Sequence, residues 1–176
     1  FRKPLILMTP KSLLRHKRAV SKLADMGADT SFHRVLRDDA VELPDQATTL
    51  VAPEKMRRVI VCSGKVYYDL YEEREKRGID DIYLLRIEQL YPVPLKTLVQ
   101  ELMPFKNAEI VWCQEEPRNM GAWHFIEPYL EWVLNQVGAP NKRPRYAGRP
   151  ASAATATGLM SKHLAQLKAL LDEALG

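Results

Sequence analysis

From Arg57 onward, apolar and polar residues fall into blocks of two alternating kinds. Val59–Cys62 (VIVC), Ile82–Ile87 (IYLLRI) and Ala108–Gln114 (AEIVWCQ) are short, nearly continuous apolar runs. That is the pattern of strands covered on both faces. The intervening segments change period. Over Lys65–Arg77 the apolar Val66, Tyr67, Leu70 and Tyr71 share one helical face, while Glu72/Lys76 and Glu73/Arg77 stand at i,i+4 on the other, and Gly78 follows as a stop. Tyr91-Pro92-Val93-Pro94 leads into a helix ending near Met103. Gly121–Leu134 predicts a helix rich in aromatics (Trp123, Phe125, Tyr129, Trp132), Arg145-Tyr146-Ala147 a short last strand, and Ser161–Leu175 an amphipathic terminal helix.

The first third is less regular. Pro4–Met8 (PLILM) predicts a strand, Ser12–Ala24 a helix with Leu13, Leu14, Val20 and Leu23 as its apolar side, and Ser31–Leu36 a second strand. Residues 38–55 are acidic, carry Pro44 and Pro53 and show no period, which predicts a long surface loop. Strands alternating with helices about every 25 residues imply a mostly parallel sheet with helices on both faces. The expected fold is therefore a three-layer, Rossmann-like α/β domain spanning 1–176.

Composition narrows the class. The 176 residues are 46% apolar and 27% charged, the proportions of a globular domain. No run of roughly 18 uncharged apolar residues predicts a membrane span, and Phe-Arg-Lys-Pro at the start is not of signal-peptide type. That start is expected to lie inside a longer polypeptide. The net charge of +4 is spread among acidic residues, and the basic stretches Lys11–Arg18 and Asn141–Arg149 are short, so nucleic acid is not an expected partner. Cys62 and Cys113 each lie in an apolar run, as buried reduced thiols do. With no close Cys/His grouping, a zinc site has no support. His16, His33, His124 and His163 stand apart from any obvious nucleophile or acid.

Ligands of open α/β sheets sit beyond the carboxyl ends of the strands. Cys62-Ser63-Gly64-Lys65 leaves one such end: Ser63 either simply caps the helix or, with Gly64 and Lys65, contributes to an anion site. In Thr9–Arg15, Lys11, Ser12 and Arg15 cluster at a predicted helix start, where positive charge opposes the dipole. An anion or acidic partner would account for them; so would a solvated basic turn. Trp112–Trp123 carries Glu115 and Glu116 at a strand end, with no adjacent His or Cys to complete an acid–base pair. These two, with Arg118, Trp123 and Tyr146, are expected at an interface. Arg143–Ala154 has no period, and Arg149 offers a planar fork for an anion.

Longer strings go further. KSLLRH (Lys11–His16), CSGKVYYDL (Cys62–Leu70), RIEQLYP (Arg86–Pro92), VWCQEEPRNMGAW (Val111–Trp123) and RYAGRPASA (Arg145–Ala153) resemble, in order, the last part of the 2-oxoglutarate dehydrogenase E1 family. The resemblance covers nearly the whole chain except the 38–55 loop and the final helix. It implies a fold like the transketolase C-terminal domain and a role within a larger homodimer. Such enzymes decarboxylate 2-oxoglutarate on thiamine diphosphate held with Mg²⁺ and pass the succinyl group to the lipoyl arm of an E2 succinyltransferase, in the citric acid cycle. The cofactor and metal would be bound by upstream domains absent here, consistent with the lack of a Gly-Asp-Gly…Asn motif, so the resemblance brings no catalytic residue to this chain.

It implies instead a structural and regulatory part. Relatives that bind acetyl-CoA or an adenine nucleotide would place that effector at Lys11, Ser12, Arg15, Ser63, Gly64, Lys65 and Arg149. A module that only recruits E2 or a subunit, and the equivalent domain of a sister 2-oxo-acid dehydrogenase or decarboxylase, are the alternatives. A bacterial cytoplasm or a mitochondrial matrix would suit either.

Overall fold

The computed structural model describes residues 2–43 and 48–176; Phe1 and residues 44–47 of the expected 38–55 loop lie outside the described residues. The chain divides into two compact units, Phe1–Phe32 and His33–Gly176.

The first unit departs from the sequence expectation. Neither the strand over Pro4–Met8 nor the helix over Ser12–Ala24 forms; the described regular structure there is two 3-10 turns, Lys11–Arg15 and Leu23–Met26. Leu5, Ile6, Leu7 and Met8 are all more than 70% exposed, and Leu14, Val20 and Leu23 are exposed too. A strand is stabilised by a neighbour to pair with, and a helix of about 13 residues by an apolar surface to bury its stripe against. With the apolar side chains in solvent, neither stabilisation operates. Lys11 and Arg15 repel at i,i+4 and oppose the dipole as well.

The second unit is the α/β domain. Its elements are β1 (Val35–Leu36), α1 (Asp39–Glu42), β2 (Arg58–Cys62), α2 (Val66–Arg77), β3 (Ile82–Ile87), α3 (Leu95–Leu102), β4 (Glu109–Pro117), α4 (Trp123–Gln136), β5 (Arg145–Arg149) and α5 (Met160–Leu175). The strand order is β1-β3-β2-β4-β5, parallel throughout except for β1. One core layer joins Val59, Val61, Leu85 and Trp112 to α3 and α4; the other joins Ile60, Leu84 and Val111 to α2 and α5. Alternation along each strand thus feeds two faces, giving the three layers that continuous apolar runs predict.

The predicted α2 face is confirmed, with Val66, Tyr67, Leu70 and Tyr71 buried, and Gly78 ends the helix at φ +63°. On the outer side Arg77 pairs with Glu73 at 2.8 Å, while Lys76 also turns to Glu73 at 3.3 Å.

The predicted second strand contracts to Val35–Leu36, because Asp38 leaves the sheet edge and turns inward. Although it opens the expected surface loop, Asp38 is fully buried against an equally buried Arg74. Its carboxylate accepts from Leu84 N (2.7 Å) and Ala40 N (3.0 Å), capping α1, and Arg74 Nη1 donates to Ile82 O. Tyr83 Oη and Tyr67 Oη accept from the amides of Asp38 and Asp39. Burial keeps both phenols protonated, Tyr83 being pushed up to about 12.

Candidate functional site

From β2 the chain crosses to β3 on one side, and from β4 it crosses to β5 on the other, so the winding reverses between β2 and β4. A crevice beyond the carboxyl ends of strands is expected at such a reversal. The groups meeting there come from the loops leaving β2, β4 and β5.

Lys65 is the N-cap residue of α2, and no side chain caps the helix, so the reading of Ser63 as a simple cap has no hydrogen bond behind it. Gly64 takes φ +74°, with open space where a Cβ would stand. The Lys65 ammonium lies 2.6 Å from Asp69 Oδ2 and 3.3 Å from Glu115 Oε1. Burial alone would depress its pKa; Asp69 and Glu115 outweigh it and hold the ammonium above its ordinary value. Glu115 in turn lies 3.9 Å from Arg149 Nη2. Lys65 and Arg149 are thus brought together through the carboxylate of β4. Each is partly neutralised already, which lowers the appeal of Lys65 as the main ligand of an added anion.

Arg149 is buried at the end of β5, and its Nη2 donates to His163 Nδ1 at 3.0 Å on α5. An arginine can only donate, so His163 accepts with its unprotonated nitrogen. Arg86, at the end of β3, lies 2.8 Å from Glu88 and packs over Tyr67 with 4.3 Å from guanidinium carbon to ring centre. Sequence reasoning missed both His163 and Arg86, since the residues they meet are 14 or more positions away in one case and on another element in the other.

Beside this crevice, the turn from β4 to α4 is built around Gln114. Its Oε1 accepts from Trp112 Nε1 and Trp123 N, each at 2.9 Å, while Nε2 donates to Met120 O at 2.7 Å. A Cβ on Gly121 would come within 2.9 Å of that amide nitrogen, and Gly121 sits at φ +66°. Trp123, an expected interface residue, is 2% exposed and packs against Tyr146 at 5.2 Å. It belongs to the core because the Gln114 turn drives the first residue of α4 inward. Glu116 and Arg118 are exposed, and Glu115 and Tyr146 are half-buried. Arg118 stacks over Tyr146 at 5.3 Å, and Tyr146 Oη donates to Arg149 O at 3.0 Å.

Lys11, Ser12 and Arg15 lie in the 3-10 turn of the first unit, without a buried residue among them. Among the described residues no group of three His, Cys, Asp or Glu is placed to hold a metal ion, and no helix is long and apolar enough to cross a membrane. Cys62 and Cys113 are buried free thiols, neighbours across β2 and β4; burial pushes Cys62 up to about 12 and raises Cys113 as well.

A family model described as 2-oxoglutarate dehydrogenase C-terminal matches residues 20–175. Over all 176 residues the chain is 68% identical to the 2-oxoglutarate dehydrogenase E1 components of Brucella ovis, Brucella suis biovar 1 and Brucella abortus strain 2308. In each case it spans 18% of the relative's length.

Proposed function

We propose, for a chain that belongs to the 2-oxoglutarate dehydrogenase C-terminal family, that it is the C-terminal structural and regulatory part of an E1 enzyme. That enzyme would oxidatively decarboxylate 2-oxoglutarate on thiamine diphosphate and Mg²⁺ and succinylate the lipoyl group of its E2 partner. The observation that carries the reading is identity of 68% along the whole chain to proteins named as that E1 component. Thiamine diphosphate would supply the electron sink for decarboxylation. Among the described residues no group of three His, Cys, Asp or Glu is placed to hold a metal ion, and no residue of this chain is proposed to hold the metal-diphosphate. The remaining part of a longer polypeptide would bind it, and no catalytic step is assigned to residues of this region.

What this region would supply is a packing surface and an anion-responsive crevice. The exposed Glu116 and Arg118, with half-buried Glu115 and Tyr146, are offered to the upstream domains, the second subunit of a homodimer or E2. Ser63, Gly64, Lys65 and Arg149 converge on the strand ends, and Lys11, Ser12 and Arg15 form a basic turn in the other unit. An acidic effector such as acetyl-CoA or an adenine nucleotide is the ligand these groups suit, in the cytoplasm of a bacterium like those of the relatives.

The test is 2-oxo-acid decarboxylation with an artificial electron acceptor, by this chain and by the longer chain carrying it, with and without thiamine diphosphate and Mg²⁺. Cofactor-dependent activity on 2-oxoglutarate confined to the longer chain is the expected outcome. Activity on a different 2-oxo acid alone would remove the named substrate and leave the family.

A further inference from the structure

Four consecutive apolar side chains, Leu5 to Met8, are between 72% and 93% exposed. We propose that Pro4–Met8 is a strand of a sheet in the preceding part of the polypeptide, covered there on both faces. The segment thus docks as a β-strand on that part and is no element of the α/β domain that follows. This rests on the reading of the chain as one portion of a longer E1 polypeptide.

Leu5-Ile6-Leu7-Met8 is apolar at each position, as is Val59-Ile60-Val61-Cys62, which forms β2 between two helical layers. A strand buried on one face alternates apolar with polar residues; a run apolar at each position matches burial on both faces. Prolines punctuate the run at either end. Pro4 and Pro10 bias the residues before them, Lys3 and Thr9, toward extended backbone, and Pro10 is itself extended at φ −63°, ψ 118°. Pro4, lacking an N–H, stands at the first position, where a strand tolerates it. Among the described residues the backbone groups of Leu5, Ile6, Leu7 and Met8 enter no hydrogen bond, so both edges of the segment are open to pairing.

Three observations favour the preceding part of the polypeptide as the partner. The family model of the C-terminal region matches from residue 20, which leaves Pro4–Met8 outside it. The chain spans 18% of its relatives' length, so most of the polypeptide able to receive a strand lies elsewhere. Pairing between two copies of the segment is disfavoured by charge. Arg2, Lys3 and Lys11 flank the run, and no Asp or Glu occurs between residues 2 and 18, so two copies side by side repel whichever way they run. The receiving sheet therefore belongs to a different stretch of chain.

Hydrogen exchange on the longer chain tests this. The amides of Ile6, Leu7 and Met8 are expected to exchange at least about a hundredfold more slowly there than in the 176-residue chain. Maleimide labelling of the variants Ile6→Cys and Leu7→Cys reads the two faces separately, since neighbours along a strand point to opposite sides. Both cysteines are expected to react in the 176-residue chain and neither in the longer one, each measured above its parent. Fast exchange in the longer chain overturns the strand. Slow exchange already in the shorter chain overturns it too, by giving the segment a partner within these residues. A single reactive position in the longer chain overturns the burial of both faces. Neither readout uses activity: a longer chain that protects the segment yet leaves 2-oxoglutarate untouched loses the E1 reading and keeps the strand.

Discussion

Gln114 uses both ends of its amide to hold one turn together, and that makes it the residue whose loss is easiest to foresee. Replacing it by Leu strands Trp112 Nε1, Trp123 N and Met120 O in the interior. Each unsatisfied buried group costs about 1–3 kcal/mol, so Gln114→Leu is expected to lower unfolding stability by roughly 3 kcal/mol or more, seen as a drop in the urea midpoint. Gly121→Ala acts on the same turn by a different route, placing a Cβ at φ +66° against the Gln114 side chain; a loss of about 2 kcal/mol is expected. Cys62 and Cys113 make a contrasting pair. Their raised pKa and burial keep them as thiols, so a thiolate-directed reagent should label neither in the folded chain and both in urea. The buried thiols were legible in the sequence, because cysteines within apolar strands have little else to do. Gln114 was not: only the folded turn shows that a polar residue ending an apolar run faces inward.

Individual elements show where legibility ends. β2, β3, β4, α2 and α4 follow from local pattern because each buries what its own sequence offers, and the partner surface is the same sheet. The long-range charge pattern does not follow. At the amino ends of the strands, Glu109 of β4 receives Arg58 of β2 at 2.6 Å and Arg145 of β5 at 2.8 Å, three residues separated by dozens of positions. Burial would raise the Glu109 pKa, but the two guanidinium hydrogen bonds outweigh it and leave the carboxyl below its ordinary value. A carboxylate depressed in the folded state stabilises fully above its unfolded pKa, near 4.3, and ceases to do so as pH falls through the folded value. Thermal stability should therefore decline on acidification below about pH 5. Glu109→Gln, less stable at neutral pH, should lose less over the same interval; an acid limb of unchanged size in the variant would rule this out. The residues at 63–65 raised the expectation of an anion loop; the ion pair of Lys65 with Asp69 is local at i,i+4, whereas its approach to Glu115 depends on how β2 and β4 pair.

At the scale of the molecule the two units contrast in backbone order. In His33–Gly176 the amides of five strands and their helices are tied into ladders; between residues 2 and 32 the described regular structure is two 3-10 turns. Hydrogen exchange of this chain should be fast across residues 2–10 and slow through β2, β3 and β4, and comparable protection in both would contradict the separation. Sequence pattern alone read order into Pro4–Met8 because it counts apolar residues without asking what covers them. The edge of the sheet poses the opposite problem. β1 shields β3 only at Ile87 and Arg86, and beyond that point the buried Asp38–Arg74 pair takes the backbone groups of Leu84 and Ile82. Removing one partner leaves the other charge buried and costs about 3–5 kcal/mol. The loss has a colloidal side too. Asp38→Ala would uncover a flat, apolar strand edge able to template pairing with another chain. Turbidity on warming should then appear well below the temperature at which the parent clouds, so the side chain that ends β1 also keeps neighbouring molecules from continuing it.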